Sequence, residues 1–295
     1  MTGTVVKGIG GFYFVYDGNG TVMGKARGNL KRNRELIYVG DIVDFEIDDN
    51  DMDGECVINS VTERKNHLTR PPVSNLDMLV VVFSLKQPEV NYPVIDKLIA
   101  WCELEGIDPV ICISKTDLAS DAEISSTIEK YENIYPSVCV NGLSGEGTDS
   151  LREIIMGRRV ALAGPSGVGK STITNLLHHA DEVYDVKAET GDISEKTGRG
   201  RHTTRHVEIF PLNDGTMLYD TPGFTSLDMP EIDARQIREL FPEFSQYQKH
   251  CRYSDCMHVN EPDCAVRKAL DEGNIARSRY DSYIIMTEEV KKWQK

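Results

Sequence analysis

Gly164-Pro165-Ser166-Gly167-Val168-Gly169-Lys170-Ser171-Thr172 is the stretch whose reading decides the architecture. A turn this rich in glycine aims successive backbone N–H groups at phosphate oxygens, and it opens onto a helix N-terminus, where anions are favoured. Lys170 is spaced to reach β- and γ-phosphates, and the Ser171 hydroxyl to ligate Mg²⁺. The flanks agree with that reading. Val160-Ala161-Leu162 is strand-like before the loop, and Ile173, Leu176 and Leu177 recur at helical spacing after it.

Working outward, two further elements give the loop its context. Upstream, the apolar run Val110-Ile111-Cys112-Ile113 ends in Ser114-Lys115-Thr116-Asp117, which looks like the guanine-reading element of a GTPase. A carboxylate at Asp117 can accept from guanine N1–H and N2–H₂, a donor pair that adenine lacks, while Lys115 can pack its stem over the base. Downstream, Met217-Leu218-Tyr219 ends in Asp220-Thr221-Pro222-Gly223. There Asp220 suits a water-mediated hold on Mg²⁺ and the Gly223 N–H suits a γ-phosphate sensor. The order is guanine reader, phosphate loop, sensor, whereas an ordinary GTPase begins with the phosphate loop. That order marks a circular permutation.

Between Val183 and Val207 lies a Gly-, Lys- and Arg-rich stretch that includes Gly198-Arg199-Gly200-Arg201-His202-Thr203-Thr204-Arg205-His206. Its low apolar content predicts a segment ordered by ligand. Thr203 or Thr204 is placed to reach Mg²⁺ as a switch threonine does, and Thr204 is the one assigned here. Its arginines could touch RNA or simply be solvated. Apolar Phe224 follows Gly223 where many GTPases carry a water-aligning Gln, which leaves His202 as the candidate catalytic group; an exposed loop histidine is the plainer alternative.

Residues 1–69 carry several short β-branched and aromatic runs, among them Thr4-Val5-Val6, Phe12–Tyr16, Ile42–Ile47 and Cys56–Ile58, with a turn signal at Asp17-Gly18-Asn19-Gly20. A small barrel is expected, with an OB-fold the leading form. Lys25, Arg27, Lys31, Arg32 and Arg34 make a basic cluster that either meets RNA or is a solvated connection. Arg70-Pro71-Pro72 reads as an extended connector. From Met78, strand-like and helix-like segments alternate, including a helix through Ile124–Tyr131, which predicts a doubly wound, mainly parallel sheet over 70–229. Residues 230–295 are mainly helical after a cluster, Cys251-x₄-Cys256-x-His258-x₅-Cys264. Three thiolates and an imidazole suit one tetrahedral, structural Zn²⁺, with His250 an alternative nitrogen ligand.

Composition bounds the partners. The 295 residues carry a formal net charge of −14, which opposes nucleic-acid coating by bulk attraction while leaving room for local basic patches. The start, Met1 to Gly8, has no apolar core of a signal peptide, and no run reaches the ~20 apolar residues of a membrane span. Seven cysteines, clustered only near the C-terminus, suit a reduced cytoplasmic protein with one metal site.

Together these motifs, in this order, resemble the ribosome small subunit-dependent GTPase A family over nearly the whole chain. The resemblance implies an N-terminal OB-fold, a central circularly permuted P-loop GTPase and a C-terminal zinc domain. It further implies a bacterial cytosolic factor, taken to be monomeric, that binds the 30S subunit and 16S rRNA late in assembly, hydrolyses GTP there and has a switch-I histidine matching His202. Two positions depart from the family pattern: Ser114 stands for Asn, and Asn141-Gly142 for Ser-Ala near the guanine, in the loop 141–145. The rival readings are a GTP/GDP-gated ribosome-binding module with incidental hydrolysis and an ATP-using P-loop enzyme, against which Asp117 argues.

Overall fold

The computed structural model describes residues 1–28, 30, 36–47, 55–69, 71–179, 207–221 and 232–293. The chain divides into two compact units. The first gathers Met1–Asp77, Ile155–Ala161 and Thr174–Pro222; the second gathers Met78–Ile154, Leu162–Ile173 and Gly223–Lys295.

In the first unit, β1 (Thr2–Ile9), β2 (Phe12–Tyr16) and β3 (Thr21–Ala26) form an antiparallel meander. The Asp17 carboxylate accepts from the Asn19 and Gly20 amides at 2.8 and 2.9 Å, fixing the tight turn between β2 and β3. β5 (Cys56–Val61) lies parallel to β3, and β4 (Ile42–Ile47) pairs with both β5 and β1, which closes a five-stranded barrel. Alternate residues Val5, Val15, Val43, Phe45, Cys56 and Ile58 fill it. Gly24 is required where β3 pairs with β5, because a Cβ there would lie 2.0 Å from the Cys56 carbonyl.

The basic cluster is not a loop throughout. Lys25 is in β3, paired to Glu55 at 2.9 Å with its ammonium 4.5 Å from the Phe12 ring centroid. Arg27 donates to Asn59 at 2.7 Å and lies 3.5 Å from Glu46. Lys31, Arg32 and Arg34 fall outside the described residues. Pro71-Pro72 is also more than a connector, since Pro72 starts β7 (Pro72–Ser74), which pairs with β6 (His67–Thr69). Pro72 opens the strand, where a missing N–H costs little. Beneath it the fully buried Asp41 carboxylate accepts from Arg64 at 2.7 and 2.8 Å and from the Ser74 hydroxyl at 2.6 Å.

The same unit continues through the first three residues of β11 (Arg159–Ala163), and through β13 (Met217–Asp220) and β12 (Glu208–Pro211). β11 runs parallel to β13, β13 is antiparallel to β12, and β12 joins β1 at Lys7↔Glu208, where the two side chains form a 2.9 Å ion pair. The Arg159 guanidinium donates to the Gly40 carbonyl and the Thr4 hydroxyl, pinning β11 to the barrel.

In the second unit, β8 (Met78–Ser84), β9 (Asp108–Ser114) and β10 (Ser137–Val140) are parallel neighbours. All seven residues of β8 are buried, as in a strand covered on both faces. Helix α1 (Tyr92–Glu105) starts with Pro at its first turn and stops at left-handed Gly106. Helix α2 spans Asp121–Ile128, three residues earlier than the expected Ile124–Tyr131. Ser120 and Glu123 form a capping box at its start, and past Ile128 the chain tightens, the Tyr131 amide bonding the Ile128 carbonyl three residues back. Helices α3 (Thr148–Ile155) and α4 (Lys170–His179) flank β11 in sequence. The C-terminal part has short turns, α5 (Ser245–Gln248), α6 (Ala265–Asp271) and α7 (Arg277–Trp293) around Phe241, Phe244 and Tyr283.

A buried ion pair lies inside this core. Arg279, 1% exposed in its side chain, donates to Asp96 of α1 at 2.9 Å and to both oxygens of Glu243 at 2.7 and 3.1 Å. Its guanidinium carbon stands 4.6 Å from the Phe241 ring centroid, and the Tyr131 hydroxyl donates to Asp96. Among the described residues, no helix is long and apolar enough to cross a membrane.

Candidate nucleotide and metal sites

The phosphate loop sits between β11 and α4, and its shape is imposed by its neighbours. Gly164, at φ +146, passes so close to β8 that a Cβ would lie 1.9 Å from the Val82 carbonyl. No other residue fits there. Val168 is buried and pins the loop from beneath, whereas Ser166, Gly167, Ser171 and Thr172 are exposed and Pro165 and Gly169 are half-buried. Lys170 folds back on the loop, its ammonium 2.7 and 2.9 Å from the Gly164 and Pro165 carbonyls, and burial holds its pKa below the ordinary lysine value. A cation against the floor of a glycine-rich turn that opens a helix is chemistry for a polyphosphate.

The tetrapeptide 114–117 lies beside that loop within the same unit. Ser114, the last residue of β9, is buried and donates to the Val168 carbonyl at 2.6 Å. Lys115 adopts a left-handed backbone, φ 54, and sends its ammonium to the Gln87 carbonyl at 2.6 Å. Thr116 and Asp117 begin a short 3-10 turn that leaves the Asp117 carboxylate exposed. The loop after β10 closes the other side. Asn141 accepts from the Leu143 and Ser144 amides through its side chain, and Gly142 lies so near Thr172 that a Cβ would meet its methyl at 3.0 Å. The residues read as base-reading and phosphate-binding are therefore brought together here. Asp220 ends β13 in the first unit, half-buried. His202, Thr204, Gly223 and Phe224 lie outside the described residues.

The C-terminal cluster is a compact donor set. The ligand atoms of Cys251, Cys256, His258 and Cys264 all lie within 4.8 Å of one another. Cys251 Sγ is 3.6 Å from His258 Nδ1 and 4.0 Å from Cys264 Sγ, and Cys264 Sγ is 3.4 Å from His258 Nδ1. A tetrahedron with Zn–S near 2.3 Å has edges of about 3.8 Å, so these spacings fit such an ion. His250, the alternative ligand, is exposed and outside the cluster. Glu261 shapes the loop by accepting from the Met257, Val259 and Asn260 amides, while Tyr280 and Tyr283 donate to the His258 and Met257 carbonyls. Burial lowers the His258 pKa to about 4, aided by Arg238, so the imidazole is a neutral ligand at physiological pH. Burial also pushes the Cys256 and Cys264 thiols up, so a bound metal must displace their protons.

Sequence reasoning missed Arg279, Asp96, Glu243 and the Asp41–Arg64–Ser74 cluster. Their partners lie far apart in the chain, 183 residues for Arg279 and Asp96, so no local pattern announces them.

Two family models match the chain: RsgA GTPase over residues 61–230 and RsgA N-terminal domain over residues 2–54. The protein described as small ribosomal subunit biogenesis GTPase RsgA from Caldanaerobacter subterraneus subsp. tengcongensis is 42% identical, covering 100% of this chain and 97% of its own. The protein of the same description from Agathobacter rectalis is 40% identical over the full length of both. Among solved structures, YjeQ from Thermotoga maritima has a TM-score of 0.81 at 32% identity, covering 98% of each chain. YloQ, described as a circularly permuted GTPase, has a TM-score of 0.79 at 30% identity, covering 99% of this chain and 95% of its own.

Proposed function

Because this chain belongs to the RsgA GTPase family, we propose that it hydrolyses GTP in the cytoplasm during late maturation of the 30S ribosomal subunit, bound to that subunit and its 16S rRNA as a monomer. The observation that carries the reading is the 2.6 Å bond from Ser114 to the Val168 carbonyl, which sets a guanine-type tetrapeptide against a phosphate loop 54 residues away.

In this reading Asp117 accepts from guanine N1–H and N2–H₂, and Lys115 covers the base. The loop from Gly164 to Thr172 wraps the phosphates, and Lys170 exchanges its two carbonyl partners for β- and γ-phosphate oxygens. Mg²⁺, when bound, neutralises charge on the phosphates; Ser171, Thr204 and Asp220 are the residues assigned to hold it. The Gly223 amide senses the γ-phosphate, and His202 positions the attacking water, since Phe224 has no polar atom to do so. The Cys251–Cys256–His258–Cys264 set holds one structural Zn²⁺. Residues 1–69 act as the OB-fold RNA-binding domain, with Lys25, Arg27, Lys31, Arg32 and Arg34 toward rRNA, residues 70–229 as the GTPase domain and 230–295 as the zinc-binding domain.

The test is GTP turnover with and without purified small subunits, together with base competition. Stimulated turnover of GTP, with Asp117→Asn shifting preference toward xanthine nucleotides, is the expected result. Equal competition by ATP would remove the guanine assignment. Subunit-dependent binding with no stimulated turnover would leave a nucleotide-gated binding module.

A further inference from the structure

Ser114 is 3% exposed and ends β9 at the edge of the nucleotide site. Its Oγ has two neighbours, the Val168 carbonyl at 2.6 Å and the Phe83 carbonyl at 3.1 Å. Both are acceptors only, and a serine hydroxyl has a single proton to donate. The shorter contact takes it, and the longer one can do no more than share it. The hydroxyl therefore has no proton for a third acceptor.

That inventory bears on how a guanine is read. Its N1–H and N2–H₂ edge offers donors, for which the exposed Asp117 carboxylate is the complement. Its other edge, N7 and O6, offers acceptors, so a side chain reading N7 has to donate. The neighbouring Lys115 ammonium is directed to the Gln87 carbonyl at 2.6 Å. On the guanine assignment argued above, we propose that Ser114 is a positioning residue that fastens the base-reading loop to the phosphate loop and, in doing so, leaves N7 unread. Guanine selection then rests on the Asp117 edge, while Ser114 acts on every guanine nucleotide alike by holding Val168.

The experiment measures binding of GTP, 7-deaza-GTP and ATP to the full-length protein and to Ser114→Ala. The 7-deaza analogue keeps the N1/N2 edge and removes only the N7 acceptor. The native protein is expected to bind GTP and 7-deaza-GTP within about twofold, because a missing neutral hydrogen bond would show as roughly five- to tenfold. Ser114→Ala leaves the Val168 carbonyl unpaired and weakens GTP and 7-deaza-GTP by one common factor, about tenfold. A native preference for GTP over the deaza analogue of fivefold or more overturns the proposal and points to another donor. Unchanged affinities in Ser114→Ala overturn the fastening role. Failure to prefer GTP over ATP would instead refute the guanine assignment, so the two failures are separable.

Discussion

Arg279→Met is the most exacting test of the C-terminal architecture. The substitution keeps much of the side-chain volume but removes three hydrogen bonds: 2.7 and 3.1 Å to Glu243 and 2.9 Å to Asp96. Charge-assisted bonds of this kind contribute about 1.5–3 kcal/mol each, yet burying the ions costs several kcal/mol, so the gross sum overstates the loss. Removing one partner of a buried ion pair costs about 3–5 kcal/mol, chiefly because the remaining charge is stranded. Here two carboxylates are stranded, one of them fully buried Asp96. The expectation is a loss of about 3–5 kcal/mol in urea unfolding and a drop of roughly 10 °C in Tm. The control is the triple variant Arg279→Met, Asp96→Asn, Glu243→Gln, which should recover most of the loss by removing the stranded charges. Equal instability of the single and triple variants would refute this reasoning and place the cost in packing against Phe241. A single variant as stable as the native protein would refute the burial itself.

Metal analysis should find about one Zn²⁺ per chain, reduced by Cys256→Ser, with affinity falling as pH drops because protons compete for thiols that burial has pushed up; a metal-free, fully folded native protein would contradict this. His202→Ala should keep nucleotide and subunit binding but lose most of the stimulated turnover, and full stimulated turnover would exclude the histidine. Reversing Lys31, Arg32 and Arg34 to Glu should weaken subunit association and flatten its salt dependence, each lost phosphate contact lowering the slope by about one; unchanged binding and slope would make the cluster a solvated surface.

What could be read in the sequence was chemistry packed into short windows. The phosphate loop, Ser114–Asp117 and the Cys251–Cys264 cluster each carry their donors within a few residues, and the alternation of apolar runs announced the parallel strands. The barrel was also legible, since Phe12–Tyr16 and Ile42–Ile47 are rich in β-branched and aromatic residues and Asp17–Gly20 carries a turn signal. Long-range electrostatics were not. Lys25 and Arg27 looked like free cations until β3 brought Glu55, Asn59 and Glu46 beside them. Pro72 argued against a strand, and only its place at the start of a three-residue hairpin strand makes it tolerable. Asp41, Arg64 and Ser74 are ordinary polar residues in sequence and one buried cluster in space.

The pairing of β12 with β1 gives the first unit a mechanical property. The strand that ends in Asp220 is hydrogen-bonded to β12, and β12 through Lys7↔Glu208 to the first strand of the barrel. A ladder of backbone hydrogen bonds is stiff across its strands, and the Lys7–Glu208 ion pair and the Arg159 bonds to Gly40 and Thr4 brace it. The barrel is thus not a bead on a tether. A shift of the strand bearing Asp220 is therefore passed toward the barrel through β12 and the Lys7↔Glu208 pair.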